Sequence, residues 1–417
     1  MDIKPRCYDS IIKLINKGVD IPNPLTVDLG DEVNINFISG KNVKIYPGCR
    51  IYGKETVISA GTRIGYETPV TIDNCQLGSG VELKGGYFNK SVFLEKANMG
   101  SGAQVREGCI LEEEANGAHC VGLKQTILFP FVTLGSLINF CDCLMAGGTS
   151  RKDHSEVGSS YIHFNYTPDG DKTTASLIGD VPRGVMLNKP PIFLGGQGGI
   201  VGPSNIGYGN VVAAGSILRN DFPEDNKLIA GKIHSPKIVN FTPGTYAGLG
   251  RIVSNNIKYI ANLIALEQWY INIRRPFFDK QEFGSLIYEG LLNKLLLAKK
   301  ERVKRLQILA EKIKPSSAGE REAGRNLAGR KEFHDRFTEI EKIFTEDLED
   351  NAVNKVRDDF FSGLDKTVQR SETTYIEAIR NLPVQVSEQG TLWLKNIVDN
   401  FCEKIKNIVP ALKLFSV

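Results

Sequence analysis

The chain has 417 residues, 41% hydrophobic and 24% charged, an ordinary globular composition with material for more than one domain. Its 51 Lys and Arg against 48 Asp and Glu leave a formal net charge of +3, which gives no electrostatic footprint for nucleic acid or an anionic membrane. No stretch approaches the roughly 18 apolar residues of a membrane span, the start MDIKPRCYDS has no apolar signal core, and the eight Cys are scattered, so a cytoplasmic protein with buried reduced thiols and no metal site is expected.

Residues 1–30 are expected to form a helix and a lead-in. From 31 to 242 the chain repeats. Ile45, Ile51 and Val57 are six apart, as are Met99, Val105 and Leu111. The longest run is Leu194, Ile200, Ile206, Val212 and Leu218. Gly often follows the aliphatic residue, as in Leu77-Gly78, Leu134-Gly135 and Leu194-Gly195. A step of six fits neither a helix nor a simple alternating strand. It fits short strands joined by tight corners, three to a coil, with one inward aliphatic residue each, stacked about 4.8 Å from its equivalent. Gly suits the corner because it is small and conformationally permissive. The expected fold is therefore all-β: a parallel β-helix of hexapeptide repeats, whose known form winds left-handed.

Between about 147 and 191 the phase breaks. The run GGTSRKDHSEVGSSYIHFNYTPDGDKTT is too polar to line a core. A loop insertion is expected there, where function is often carried.

A boundary follows near Thr242-Pro243-Gly244. Of the 42 Gly, 32 precede residue 243 and 10 follow it. Residues 243–417 read as an all-α domain. Amphipathic stretches cover Phe283–Lys314, broken at Pro315, then roughly 330–350, 353–378 and 391–409. The basic run 299–314 is a solvated face or a surface for a protein partner.

The motifs of the first part resemble a known family. The openings NKGVDIPNPLTVDLG and VKIYPGCRIYGKETVISAGTRIG, then VREG at 105–108, VGLK at 121–124, NYTPDGDKTTASLIGD at 165–180 and FLGGQGGIVGPSNIGYGNVVAAGSILRND are similar to the acetyltransferase domain of the bifunctional bacterial enzyme of UDP-N-acetylglucosamine synthesis. The resemblance covers residues about 10–235. No LxxGxGTRM-type loop with its following Lys occurs, so uridylyl transfer is not expected.

The resemblance implies acetyl transfer from acetyl-CoA to the amine of an amino-sugar 1-phosphate or nucleotide sugar. It implies that Arg106, Lys124 and Lys172 hold the phosphate, a suitable set for a dianion. Asn165 and Tyr166 stand for an Asn-Tyr pair beside the sugar and acyl-CoA. Gly196 and Ala214 stand at positions along the CoA arm, and Lys232 near the CoA phosphates. It also implies a homotrimer.

Departures accompany the match. The family's general base, a His, is replaced by Phe140. A Tyr becomes Cys143 and an Asn becomes Glu156. Amine acylation needs a base. His154, two residues before Glu156 and so on the same side of an extended segment, and His163 are the candidate relocated bases, with Glu156 orienting His154. His119 is read as structural. Two other functions compete with acyl transfer: a phosphosugar-binding protein that has lost the base, and a trimeric scaffold whose helices recruit partners or cap the last open coil.

Overall fold

A computed structural model describes residues 4–231, 236, 238, 240, 244, 246, 248–313, 327–345, 351–368 and 373–415. Lys232, Thr242-Pro243 and Pro315 lie outside the described residues.

Helix α1 (Tyr8–Lys17) stops at Gly18, whose left-handed φ of +109° turns the chain back towards the first coil. A parallel β-prism with three faces follows. Face I is a ten-stranded ladder from Lys44–Ile45 to Leu228–Ile229. Faces II and III form one sixteen-stranded sheet. They join because strands Gly122–Leu128 and Ile138–Met145 run unbroken through the shared edge.

The six-residue step becomes stacked columns. On face I the inward column runs through Ile45, Ile64, Leu83 and Met99 down to Leu194, Val212 and Ile229. On face II it runs through Ile51, Ile72, Phe88, Val105 and Leu123, then Phe140, His163, Ile200 and Leu218. Each buried aliphatic side chain contributes roughly 1.5–3 kcal/mol.

The corners separate two roles that the sequence merges in Gly. The Gly after an inward residue is small because the next coil fills its volume: a Cβ on Gly195 would lie 2.4 Å from Ala214 N, and one on Gly207 2.6 Å from the Pro223 carbonyl. The left-handed turn comes later in the corner and is often not Gly. At the edge between faces II and III it falls on Asn74, Lys90, Gln125 and Asp142, with φ of 52°, 45°, 49° and 59°. Just inside that edge runs a column of small buried side chains: Cys75, Ser91, Cys109, Thr126, Cys143 and Ser176. Ser91 Oγ donates to the Arg106 carbonyl and Thr126 Oγ1 to the Phe140 carbonyl, both at 3.0 Å. Burial pushes the Cys75 and Cys109 thiols up to about 12, so they serve as packing. Cys120 is exposed.

Residues 147–191 leave the coils three times, and in-phase strands lie between the excursions. A hairpin pairs Gly148–Ser150 with Asp153–His154 between faces III and I. A loop at 165–175 lies between faces II and III, and a turn with helix α2 (Val181–Gly184) follows. Strands Glu156–Val157, Tyr161–Phe164 and Ser176–Ile178 keep the rungs.

The helical part comprises α3 (Leu249–Trp269), a π-helical segment (Tyr270–Arg274), α4 (Arg275–Phe278), α5 (Gly284–Lys312), α6 (Leu327–Asp335), α7 (Phe337–Ile343), α8 (Asn351–Val368), α9 (Tyr375–Arg380) and α10 (Val384–Ile408). Sequence periodicity does not single out α3, because its residues from Val253 to Leu266 are buried almost without interruption and no polar face marks it. No described helix is long and apolar enough to cross a membrane. The helices lie along face III. Ser39 Oγ donates to Glu282, Gly290 closes on Gln76, and Asn256 Nδ2 reaches the Thr173 carbonyl at 2.9 Å.

Two buried ionic contacts anchor this docking. In one, Arg274 from the π-helical segment faces Glu112 Oε2 at 3.3 Å and pairs bidentately with Glu113. Tyr270 OH donates to Glu112, and the Arg274 guanidinium stacks 3.7 Å from the Tyr375 ring centre. In the other, Arg302 of α5 pairs with Asp142 at 2.8 Å. Burial, with Glu113 alongside, raises the Glu112 carboxyl to about 7 against the pull of Arg274.

Arg274→Met leaves two buried carboxyls facing no cation. It is expected to cost about 3–5 kcal/mol in urea unfolding, whereas Glu112→Gln is expected to cost under ~1 kcal/mol. Because the folded-state pKa of Glu112 is raised, the stability it gives is fully present below its ordinary 4.5 and is lost as pH rises to about 7. The urea midpoint of the wild type is therefore expected to fall relative to that of Glu112→Gln across this window.

Candidate functional site

The edge between faces II and III collects most of the charged candidates. Arg106 N donates to the Leu123 carbonyl, which places Arg106 one rung from Lys124. Lys124 is in register with Cys141, and Phe164 occupies the following rung. These side chains point outward in one column at about 4.8 Å per rung. Lys124 Nζ is held 2.6 Å from Glu107 Oε1. Against partial burial, the hydrogen bond and charge of Lys124 keep the Glu107 carboxyl below the usual range. Burial raises the Cys141 thiol, and Asp142 adds to that, while Arg106 and Lys124 pull the other way. Both cations thus act on one point of the edge.

The loop with Asn165, Tyr166 and Lys172 springs from the same edge, immediately after Phe164. It folds around Asp171, whose carboxylate accepts from Thr167 Oγ1 at 2.7 Å, Thr173 N at 3.0 Å and Tyr246 OH at 2.9 Å. Tyr166 is exposed, and Asn165 and Lys172 are half-buried. Asp142, the left-handed corner residue beside Cys141, feels the charge of Lys172 as well as that of Arg302. Arg106, Lys124 and Lys172 are therefore gathered along one edge.

The other candidates lie elsewhere. Phe140 and His163 both point into the prism, edge to face at 6.4 Å. His163 Nε2 meets Ser176 Oγ at 2.7 Å, and burial lowers its pKa to about 4. Cys143 is in the small-residue column, also inside. His154 sits on the hairpin at the edge between faces III and I. Its Nδ1 is 2.9 Å from the Arg151 carbonyl and its Nε2 3.8 Å from Glu156 Oε2. In one chain this pair is on a different edge from the cations. Gly196 and Ala214 mark the third edge, between faces I and II. A Cβ on Gly196 would fall 2.6 Å from the Ser159 carbonyl, so coil packing alone accounts for that Gly. His119, on the same edge, is bonded through Nδ1 to Ser136 Oγ at 2.8 Å. Lys232 is outside the described residues.

Sequence reasoning missed Glu107, Asp142 and Arg302. Glu107 lies within the VREG motif beside Arg106, and nothing local marks it as the partner of Lys124, 17 residues on. Nothing local in the sequence pairs Asp142 with Arg302, 160 residues away.

No family model matches the chain. Among curated proteins, it is 28% identical over 219 residues to the bifunctional protein GlmU of Staphylococcus haemolyticus, covering 52% of this chain and 43% of that protein. It is 29% identical over 217 residues to the GlmU of Fervidobacterium nodosum, with 51% and 42% covered. Identity to the GlmU of Thermotoga maritima is 28% over 213 residues, again with 51% and 42% covered. The chain thus spans less than half the length of the curated relatives it matches. The similarity covers about half of this chain and agrees with the motif resemblance of the β-helical part.

Glu107 competes with any anion for Lys124. Glu107→Gln is expected to tighten inorganic phosphate binding by up to about fivefold, since an exposed pair is worth about 0.2–1 kcal/mol. Calorimetry with phosphate measures it.

Proposed function

We propose that this protein transfers an acetyl group from acetyl-CoA to the amine of a sugar 1-phosphate or nucleotide sugar, in chemistry of the kind used for UDP-N-acetylglucosamine synthesis, and that it works as a homotrimer. The observation that carries this is the common edge: Arg106 and Lys124 stand on adjacent rungs, and the loop of Lys172 springs from beside them. A guanidinium and two ammonium groups match a phosphate monoester carrying nearly two negative charges. The similarity to GlmU supports the same reading.

In the reaction the free amine attacks the thioester carbonyl. The C–N bond forms and the C–S bond breaks; a base takes the proton from the attacking nitrogen and hands it to the departing thiolate, so that CoA leaves as its thiol. Asn165 and Tyr166 are suited to orient the sugar hydroxyls and the thioester oxygen. His163, sealed in the prism, is not in position to be the base. That role falls to His154, steadied by Glu156, of a neighbouring subunit. With the described helices along face III, faces I and II are, among the described residues, left for lateral packing. Both carry exposed apolar side chains near the last coils: Phe193, Val211 and Leu228 on face I, Ile162 and Ile217 on face II. Packing face I of one prism against face II of the next about a threefold axis puts Glu156 level with Asn165, because both belong to the same coil.

A second reading is a phosphosugar-binding protein without turnover. It is favoured by Phe140, which fills an interior slot where the resemblance expects a base. Calorimetry with glucosamine 1-phosphate and acetyl-CoA, followed by a free-thiol assay, separates the two. Thiol release that needs both substrates and is lost in His154→Ala establishes the transferase. Phosphosugar heat without thiol release establishes the binder. For a site shared between subunits, co-refolding Lys172→Ala with His154→Ala chains is expected to restore about a quarter of wild-type turnover, the share of correctly paired neighbours in random trimers.

A further inference from the structure

The helical half lies outside the resemblance to the acetyltransferase domain, yet it grips the loop at 165–175 at several points. Arg302 of α5 is buried between the prism corner and that loop. Its Nη2 meets Asp142 Oδ1 at 2.8 Å, and its Nη1 donates to the Lys172 carbonyl at 3.2 Å. Lys312, at the end of the same helix, donates to the Gly170 carbonyl at 3.0 Å. Asn256 of α3 holds the Thr173 carbonyl at 2.9 Å. Helical side chains therefore hold the loop by its backbone, on either side of Lys172 and at Lys172 itself.

We infer that Arg302 is a positioning residue for the acceptor phosphate: its planar fork spans the Asp142 corner and the Lys172 backbone, and so sets where the Lys172 ammonium stands relative to Lys124 and Arg106. This inference rests on the phosphosugar reading above. Two physical effects follow from the geometry. The fork orders the loop during folding, so that ordering entropy does not weaken ligand binding. It also neutralises Asp142. Without Arg302, that carboxylate would be left to compete for Lys172 and draw the ammonium from the ligand. Arg suits this place because two donors of one rigid plane point at two acceptors, an arrangement Lys does not reproduce. The helices along face III then act on the site without contributing a group that touches ligand.

The test uses the full chain with Asp142→Asn, Arg302→Met and the double variant, which leaves no unpaired charge in the interface and keeps the comparison open if Arg302→Met alone does not fold. Amide exchange at residues 169–173 in the double variant is expected to quicken at least about tenfold, with exchange in the prism strands unchanged. Its Kd for glucosamine 1-phosphate is expected to rise at least about tenfold while the acetyl-CoA affinity holds, and in turnover KM for the acceptor rises with little change in kcat. Asp142→Asn alone retains the bond to the Lys172 carbonyl and is expected to stay within about threefold of wild type. Loop exchange and phosphosugar affinity in the double variant within about twofold of wild type would overturn the inference. Absence of phosphosugar heat with wild-type protein overturns the functional reading instead, and the exchange comparison still decides whether Arg302 holds the loop.

Discussion

Coils stacked at about 4.8 Å turn sequence distance into spatial identity. A residue's column follows from its place in the six-residue step, and its rung from the coil it belongs to. Arg106 and Lys124 are three steps apart and so share a column. The same rule makes substitutions unforgiving. Gly195 and Gly207 have no room for a Cβ because the next coil passes where it would be. It also explains why Phe140 and His163 are adjacent in space and both inaccessible: they occupy consecutive inward positions of face II. An imidazole in that column packs as a core ring bonded to Ser176.

Covering face III changes what the prism can do. A bare prism is lightly charged and has three equivalent flanks. Here one flank receives Arg274 and Arg302, each aimed at carboxylates on corners of the coils. Buried pairs of this kind contribute little net stability over apolar packing, but removing one partner is costly, so they fix orientation strongly. The aromatic cluster of Trp269, Phe360 and Trp393, with ring centres about 6 Å apart, supplies the apolar core on the helical side. Among the described residues, the helices leave two flanks of the prism uncovered, and one loop, at 165–175, is clamped between coil and helix.

The three edges have become chemically distinct. The edge between faces II and III carries cations and a hydroxyl-rich loop. The edge between III and I carries the His154 imidazole on a hairpin, with the Glu156 carboxylate beside it at the start of a face I strand. The edge between I and II carries small residues and His119. They are separated by whole faces of five or six residues, roughly 17 Å. Any chemistry that needs two of these edges has to recruit the second from a neighbouring prism.

The sequence by itself determined the architecture of the first half, because a six-residue period of inward aliphatics has one compact solution. It also determined that the second half is helical, and which charged residues stand in motif contexts. Only the tertiary structure decided which of these charges meet. His154 and His163 look alike in the sequence, yet one lies on a hairpin and the other inside the prism, because an inward column admits a ring wherever the coil phase places it. Helix α3 escaped periodicity because burial on all sides erases the amphipathic signal. Asp142 and Arg302 carry no local mark of each other. Their pairing depends on how two independently patterned halves dock, and no spacing within either half encodes that.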